Sequence, residues 1–181
     1  MKKFIVSLVM LLSTSAACVF AQSSLIATLS HNDTISVFYG IDALQKAYTQ
    51  SVAGDAITLS SGNFYAPSII SKNISIYGAS MEQDSVNNIQ PTLLLNDFAI
   101  TAVSTESNRL TLESLWHGGK ITCGVRGTSS TSPAKNAVGV QFVKCRLEEF
   151  YSASNSSYAS YNARLENFRF VQCKVDRKSV V

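Results

Sequence analysis

Val140-Gln141-Phe142-Val143-Lys144-Cys145-Arg146-Leu147 is answered 28 positions later by Phe168-Arg169-Phe170-Val171-Gln172-Cys173-Lys174-Val175. Both octapeptides contain Phe-Val-x-Cys followed by a basic residue, with apolar residues at the first, third, sixth and eighth places. In an extended strand side chains alternate between faces, so the three-residue step from Phe142 to Cys145 reverses the parity. Both apolar pairs can face one core only if the chain bends between them. The two segments therefore predict strand, corner, strand, and a repeat of this size with one unit per copy is what a solenoid of stacked β-coils requires. Two unrelated strands of an antiparallel sandwich are the competing reading. Ile74, Ile76, Ala79 and Met81 follow the same order.

Short alternating runs occur elsewhere, at Ala56–Leu59, Asn73–Tyr77, Thr92–Leu95, Arg109–Leu112, Val140–Val143 and Asn167–Val171, each broken after a few residues. They predict short strands joined by corners. Between Ile41 and Val52 the period changes: Ile41, Leu44, Ala47 or Tyr48 and Val52 share one helical face. Asp42 is placed to cap this helix with Gln45 three positions on, and Gly54 suits the position past its end. No other segment reads as a helix.

Composition agrees with a β-rich domain. The chain has 181 residues, 46% hydrophobic and only 15% charged, and fifty are Ser, Thr or Asn. Three Pro and nine Gly exclude a collagenous or proline-rich chain, and the scarcity of charge excludes a disordered polyampholyte. Lys2 and Lys3, the apolar Phe4–Leu12 and the small residues Ser13–Ala21 have the layout of a secretory leader, with Val19-Phe20-Ala21 as its cleavage site. Ser15-Ala16-Ala17-Cys18 offers a competing lipoprotein anchor at Cys18. Residues 1–21 form the leader and 22–181 one domain, exported to the medium or the outer cell surface. Removal of two Lys lowers the net charge of +3 to +1, which leaves no electrostatic case for nucleic acid. No later segment is long and apolar enough to span a membrane.

The helix at 41–52, followed by Gly54-Asp55-Ala56-Ile57-Thr58-Leu59-Ser60-Ser61-Gly62-Asn63-Phe64 and Lys72-Asn73-Ile74-Ser75-Ile76-Tyr77-Gly78-Ala79, resembles the entry to right-handed parallel β-helix proteins of the pectate-lyase-like superfamily. Arg109-Leu110-Thr111-Leu112-Glu113-Ser114-Leu115 is similar to one of their later strand-and-corner units. With the Lys-Lys leader, the wording is most like exported proteins of Bacteroidota. The likeness spans Thr34 to Leu115 well and the remainder loosely. It implies an all-β, right-handed parallel β-helix with a short N-terminal capping helix, which would turn Ile41, Leu44 and Tyr48 onto the first coil. Only Asp176–Val181 follow the last matched strand, so the expectation is a fragment whose further coils are absent; a loop such as 150–161, or a partner chain, is the alternative cover.

Enzymes of this superfamily hold Ca²⁺ on clustered carboxylates and abstract a proton with Arg or Lys, or use paired Asp with Gly-His-Gly. Here twelve acids are scattered and only Glu148 and Glu149 are adjacent. On a regular strand those two point to opposite faces, so no metal or cofactor is expected. Trp116-His117-Gly118-Gly119 lacks the aspartates, and His117 reads as a loop residue beside a corner. Lys72, Arg109, Lys120 and Arg126 are basic but unplaced. Without a CxxC, and with His31 and His117 far apart, zinc is not supported. Cys123, Cys145 and Cys173 are an odd number for an oxidising compartment. Cys145 and Cys173 would stack in neighbouring coils, as buried thiols or as a disulfide. Tyr151, Tyr158 and Tyr161, set among Ser and Asn, could stack on sugar rings. The expectation is a non-catalytic exported protein for adhesion or carbohydrate contact, meeting a polysaccharide or cell-surface glycan. The alternative is a polysaccharide lyase or glycoside hydrolase whose site lies in the absent coils.

Overall fold

The computed structural model describes residues 25–87, 89–105, 108–129, 131–152 and 162–179. The expected leader with Cys18, and Tyr158 and Tyr161 of the tyrosine loop, lie outside the described residues. The described chain is all-β with one helix. Its elements are β1 (Ile26–His31), β2 (Thr34–Tyr39), α1 (Ala43–Gln50), β3 (Ala56–Leu59), β4 (Gly62–Phe64), β5 (Ile69–Ile70), β6 (Ser75–Tyr77), β7 (Thr92–Leu94), β8 (Phe98–Ile100), β9 (Thr111–Glu113), β10 (Trp116–Cys123), β11 (Ala137–Val138), β12 (Gln141–Val143), β13 (Arg146–Ser152), β14 (Leu165–Glu166), β15 (Arg169–Val171) and β16 (Lys174–Ser179).

From β3 onward the chain passes back and forth between two sheets. The first has the order β15-β12-β9-β6-β3-β1-β2, the second β16-β13-β10-β7-β4 with β8 bridging β5 and β10, and β11 pairs with β14. From β3 onward every strand pair in these sheets is parallel. The two octapeptides quoted above lie side by side, Phe142 opposite Phe170 and Leu147 opposite Val175. Between them the chain turns through residues of positive φ, Lys144 (48°) and Gln172 (53°), and Ser114 (56°) does the same after β9. These are the bends that the three-residue apolar step demands.

Parallel register stacks like on like. Ile57, Ile76, Leu112, Phe142 and Phe170 occupy successive places across the first sheet. Phe64, Leu94, His117, Leu147 and Val175 do so across the second. All but His117, Phe170 and Val175 are buried hydrophobics of a single core, and each large side chain withdrawn from water there contributes about 1.5–3 kcal/mol. In the segment 74–81 only the first half obeys the expected pattern: Ile74 and Ile76 are buried, but the chain leaves the sheet after β6, and outside any strand Ala79 is exposed and Met81 half-buried. In 168–175 the apolar residues are partly covered, and Phe170 is 44% exposed.

The amino-terminal end departs from parallel pairing. β1 runs antiparallel to both β2 and β3. Asn32 and Asp33, both at positive φ (44° and 61°), make the two-residue turn between β1 and β2, a conformation that Asn and Asp tolerate better than most residues. β2 is the edge strand, with Ile35, Val37 and Tyr39 exposed along it.

Helix α1 packs on β1, β2 and β3 and buries Ala43, Leu44, Ala47 and Tyr48. Three details of the expected helix are corrected. Ile41 precedes the helix and is 39% exposed. Asp42 makes no side-chain cap; its carboxylate pairs with Lys46 at 3.0 Å, while Gln45 Nε2 donates to Ala66 O. The helix ends at Ser51, whose N–H donates to Ala47 O and Tyr48 O, so Gly54 lies in the turn leading to β3. The carbonyls at this end also meet a cation. Lys72 Nζ donates to Tyr48 O, Thr49 O and Ser51 O and lies over the Tyr48 ring, 4.6 Å from its centre, where the negative end of the helix dipole favours positive charge.

Candidate functional site: the outer face of the second sheet

Alternation puts Leu115, His117, Ile121 and Cys123 inward, buried, and leaves Trp116 and Lys120 on the outer face of β10. The ladder interrupts itself between them. Trp116 and His117 pair with Arg146 and Leu147, but Lys120 pairs with Glu149, so Gly118 and Gly119 together oppose Glu148 alone. This is a β-bulge. A Cβ on Gly119 would lie 2.7 Å from Asp97 Oδ1, so the turn between β7 and β8 can press against the bulge only because glycine stands there.

That turn is tightly held. Asn96 accepts from Ala66 N–H at 2.7 Å and donates through Nδ2 to Ala66 O and Asp97 O. Asp97 Oδ1 accepts the Lys120 backbone N–H at 2.8 Å. His117, far from being a loop residue, is a strand residue only 1% exposed. Its Nε2–H donates to Asn96 O at 3.0 Å, and its ring meets Phe98 edge-on at 4.8 Å. Burial pushes the imidazole's pKa down, so it is neutral here and stabilises the turn from below.

The bulge also corrects the expectation for the paired glutamates. Leu147 and Phe150 both pack on the core, and Glu148 and Glu149 lie between them. Both line one groove of about 280 Å3 together with Asp97, Gly118, Gly119 and Lys120. Three carboxylates and one ammonium thus share a site that regular alternation would have divided. Tyr151 borders it: its hydroxyl donates to Glu149 Oε2 at 3.1 Å, and Lys120 Nζ lies 5.4 Å from its ring centre. Of the three candidate tyrosines, Tyr151 is placed here on β13, with Tyr158 and Tyr161 outside the described residues.

A second groove of about 440 Å3 lies alongside, lined by Leu25, Gly62, Asn63, Gln90, Pro91, Leu93 and Trp116. Asn63, Leu93, Trp116, Arg146 and Lys174 occupy successive register positions across the sheet. The Arg146 guanidinium sits 4.5 Å from the Trp116 ring centre and is held by Asp176 at 3.1 Å. Among the described residues Trp116 Nε1 and His117 Nδ1 are buried without a hydrogen-bond partner.

The other basic residues are dispersed. Lys72 serves α1. Arg109 is exposed on a third groove, of about 520 Å3, with Gly54, Asn73 and Asn108, and Arg126 is exposed. Among the described residues no three His, Cys, Asp or Glu side chains are placed to hold a metal ion, and no helix is long and apolar enough to cross a membrane. Sequence reasoning missed Asp97, and it missed the joining of Glu148 with Glu149. The available signal was Gly118-Gly119 inside a strand pattern, which marks a bulge. Comparison with protein-family models, curated proteins and solved structures yields no match.

Proposed function

We propose that this chain is an exported or cell-surface protein, built as a right-handed parallel β-helix of the pectate-lyase-like kind with α1 as its N-terminal cap, and that it contacts carbohydrate without transforming it. The parallel ladders and their αL corners support the coil, and the burial of Leu44 and Tyr48 against β1–β3 supports the cap.

The observation that carries the carbohydrate reading is the pairing of two grooves on one sheet face. One combines apolar walls, Pro91, Leu93 and Trp116, with the amides of Asn63 and Gln90. The other concentrates carboxylates and an ammonium beside Tyr151. Sugars present flat C–H faces ringed by hydroxyls, and recognition takes this mixture of flat apolar surface and a few placed polar groups. Affinity electrophoresis through a panel of soluble polysaccharides tests it: Trp116→Ala with Gln90→Ala should abolish the retardation seen with the wild type. Retardation equal to wild type would remove the groove from the reading.

A second reading, a polysaccharide lyase or glycoside hydrolase, is favoured by the sharing of one groove by Asp97, Glu148, Glu149 and Lys120, since paired carboxylates with a nearby base are the tools of glycosidic cleavage. Release of reducing ends or of unsaturated products from acidic polysaccharides, lost in Lys120→Ala and in Glu149→Gln, would establish it.

A further inference from the structure

We propose that Cys145 and Cys173 are a redox-active pair that closes into a reversible disulfide tying two neighbouring corners of the chain together. They hold the same place in the two copies of Phe-Val-x-Cys. Val143 pairs with Val171 on one side of them and Arg146 with Lys174 on the other, so the two cysteines lie one above the other, each directly after a residue of positive φ. Adjacent strands stand about 4.8 Å apart, within the Cα separation that a disulfide spans. Both are free thiols. Their sulfurs point to the same column of backbone carbonyls, Cys145 Sγ to Leu112 O and Val143 O at 3.3 Å, Cys173 Sγ to Phe142 O and Val171 O at 3.4 Å.

The two thiols differ in a way that assigns roles. Cys145 is fully buried, whereas Cys173 is half-buried on the outermost strand corner described. The neighbouring Cys145 thiol holds the Cys173 thiol below its ordinary value in spite of burial. The Cys173 sulfur beside it, together with burial, pushes Cys145 up. Cys173 is therefore the attacking thiolate and Cys145 the resolving thiol. Cys123 is the internal control: buried in β10, flanked across the ladder by Ile100 and Ser152, and pushed up by burial alone.

The chemistry balances with a small disulfide as the oxidant. Cys173 thiolate attacks one sulfur of the oxidant, forming a mixed disulfide and releasing one thiolate. Cys145 then gives its proton to solvent, and its sulfur attacks Cys173 Sγ and expels the second thiolate. The protein's two thiols are oxidised and the oxidant is reduced to two thiols.

The test uses the full chain and oxidised glutathione, with mapping by chymotrypsin, which separates the three cysteines onto different peptides. The expected product is a Cys145–Cys173 linked peptide that dithiothreitol reverses, with Cys123 unmodified. Cys145→Ser should halt at a glutathione adduct on Cys173, whereas Cys173→Ser should leave Cys145 unmodified. With iodoacetamide at neutral pH, Cys173 should react about tenfold or more faster than Cys123, following its greater thiolate fraction. Melting curves establish that each variant is folded. A natively melting wild-type protein that gives no linked peptide, or a stable adduct on Cys173 that Cys145 fails to resolve, overturns the proposal.

Discussion

Phe170 lies flat on Phe142, ring centres 5.1 Å apart and planes 5° from parallel. The two rings are the last members of the register column that begins at Ile57, and Phe150 meets both edge-on, at 5.8 Å from Phe142 and 5.3 Å from Phe170. Equivalent residues in this ladder therefore differ in energetic weight according to what lies on their far side.

Phe142 is fully buried and Phe170 44% exposed. Phe142→Ala is expected to lower stability by about 3–5 kcal/mol, the usual cost of a large cavity. Phe170→Ala should lose about 1–2 kcal/mol, because much of its ring already meets water. Urea unfolding of both variants checks this, and equal losses would contradict the stacking account.

Lys72 satisfies three carbonyls at the end of α1. Lys72→Met keeps the aliphatic stem and removes the charge, and should destabilise by about 1–3 kcal/mol. Leu44→Asp, which places a carboxylate where Leu44 is fully buried, should prevent folding or cause aggregation. Thermal melts and soluble yield report these outcomes.

Two groups give acid sensitivity from different directions. Burial alone would raise the Asp55 carboxyl, but the Val52 N–H at 2.8 Å and His31 at 2.7 Å outweigh it and hold the carboxyl below the usual range. Its stabilisation is complete above the unfolded carboxyl value, about 3.9, and is lost as pH falls through the lower folded value. His117 is also depressed, by burial. As pH falls below about 6.5 the unfolded chain binds a proton that the folded chain refuses, so stability declines. Asp55→Asn should flatten the more acidic limb of a stability-versus-pH curve and His117→Gln the milder one. A curve unchanged by either substitution would refute the assignment.

Gly78 has no room for a side chain. A Cβ there would lie 2.3 Å from Ser114 O, 2.6 Å from Leu115 Cδ2 and 2.9 Å from Thr92 Cβ. Because the first of these is backbone, Gly78→Ala should cost at least about 1–3 kcal/mol, the scale of overpacking. Gly54→Ala makes a useful comparison: nothing lies within 4 Å of its Cβ position, but its φ of +97° disfavours alanine. Denaturant midpoints for the two separate steric from conformational cost.

By itself, the sequence determined the all-β character, the presence of one helix within 41–52 and the matching of 140–147 with 168–175, because these follow from local periodicity and from one repeated pattern; the helix ends, Ala43 and Gln50, came from the structure. The sequence also determined where the chain bends, since the step from Phe142 to Cys145 leaves no other way to bury both. Only the tertiary structure decided the pairing partners and what lies on the outer face. The hairpin at 26–39 escaped notice because an edge strand with Ile35, Val37 and Tyr39 exposed has a weak burial pattern. Ile41 had the right spacing for the helical face but stands before the first turn. The joining of Glu148, Glu149 and Asp97 depends on an extra residue at Gly118-Gly119, and a bulge changes which face every later side chain takes. That shift becomes visible only when β10 is laid against β13, because the register of a ladder belongs to two strands and is written in neither alone.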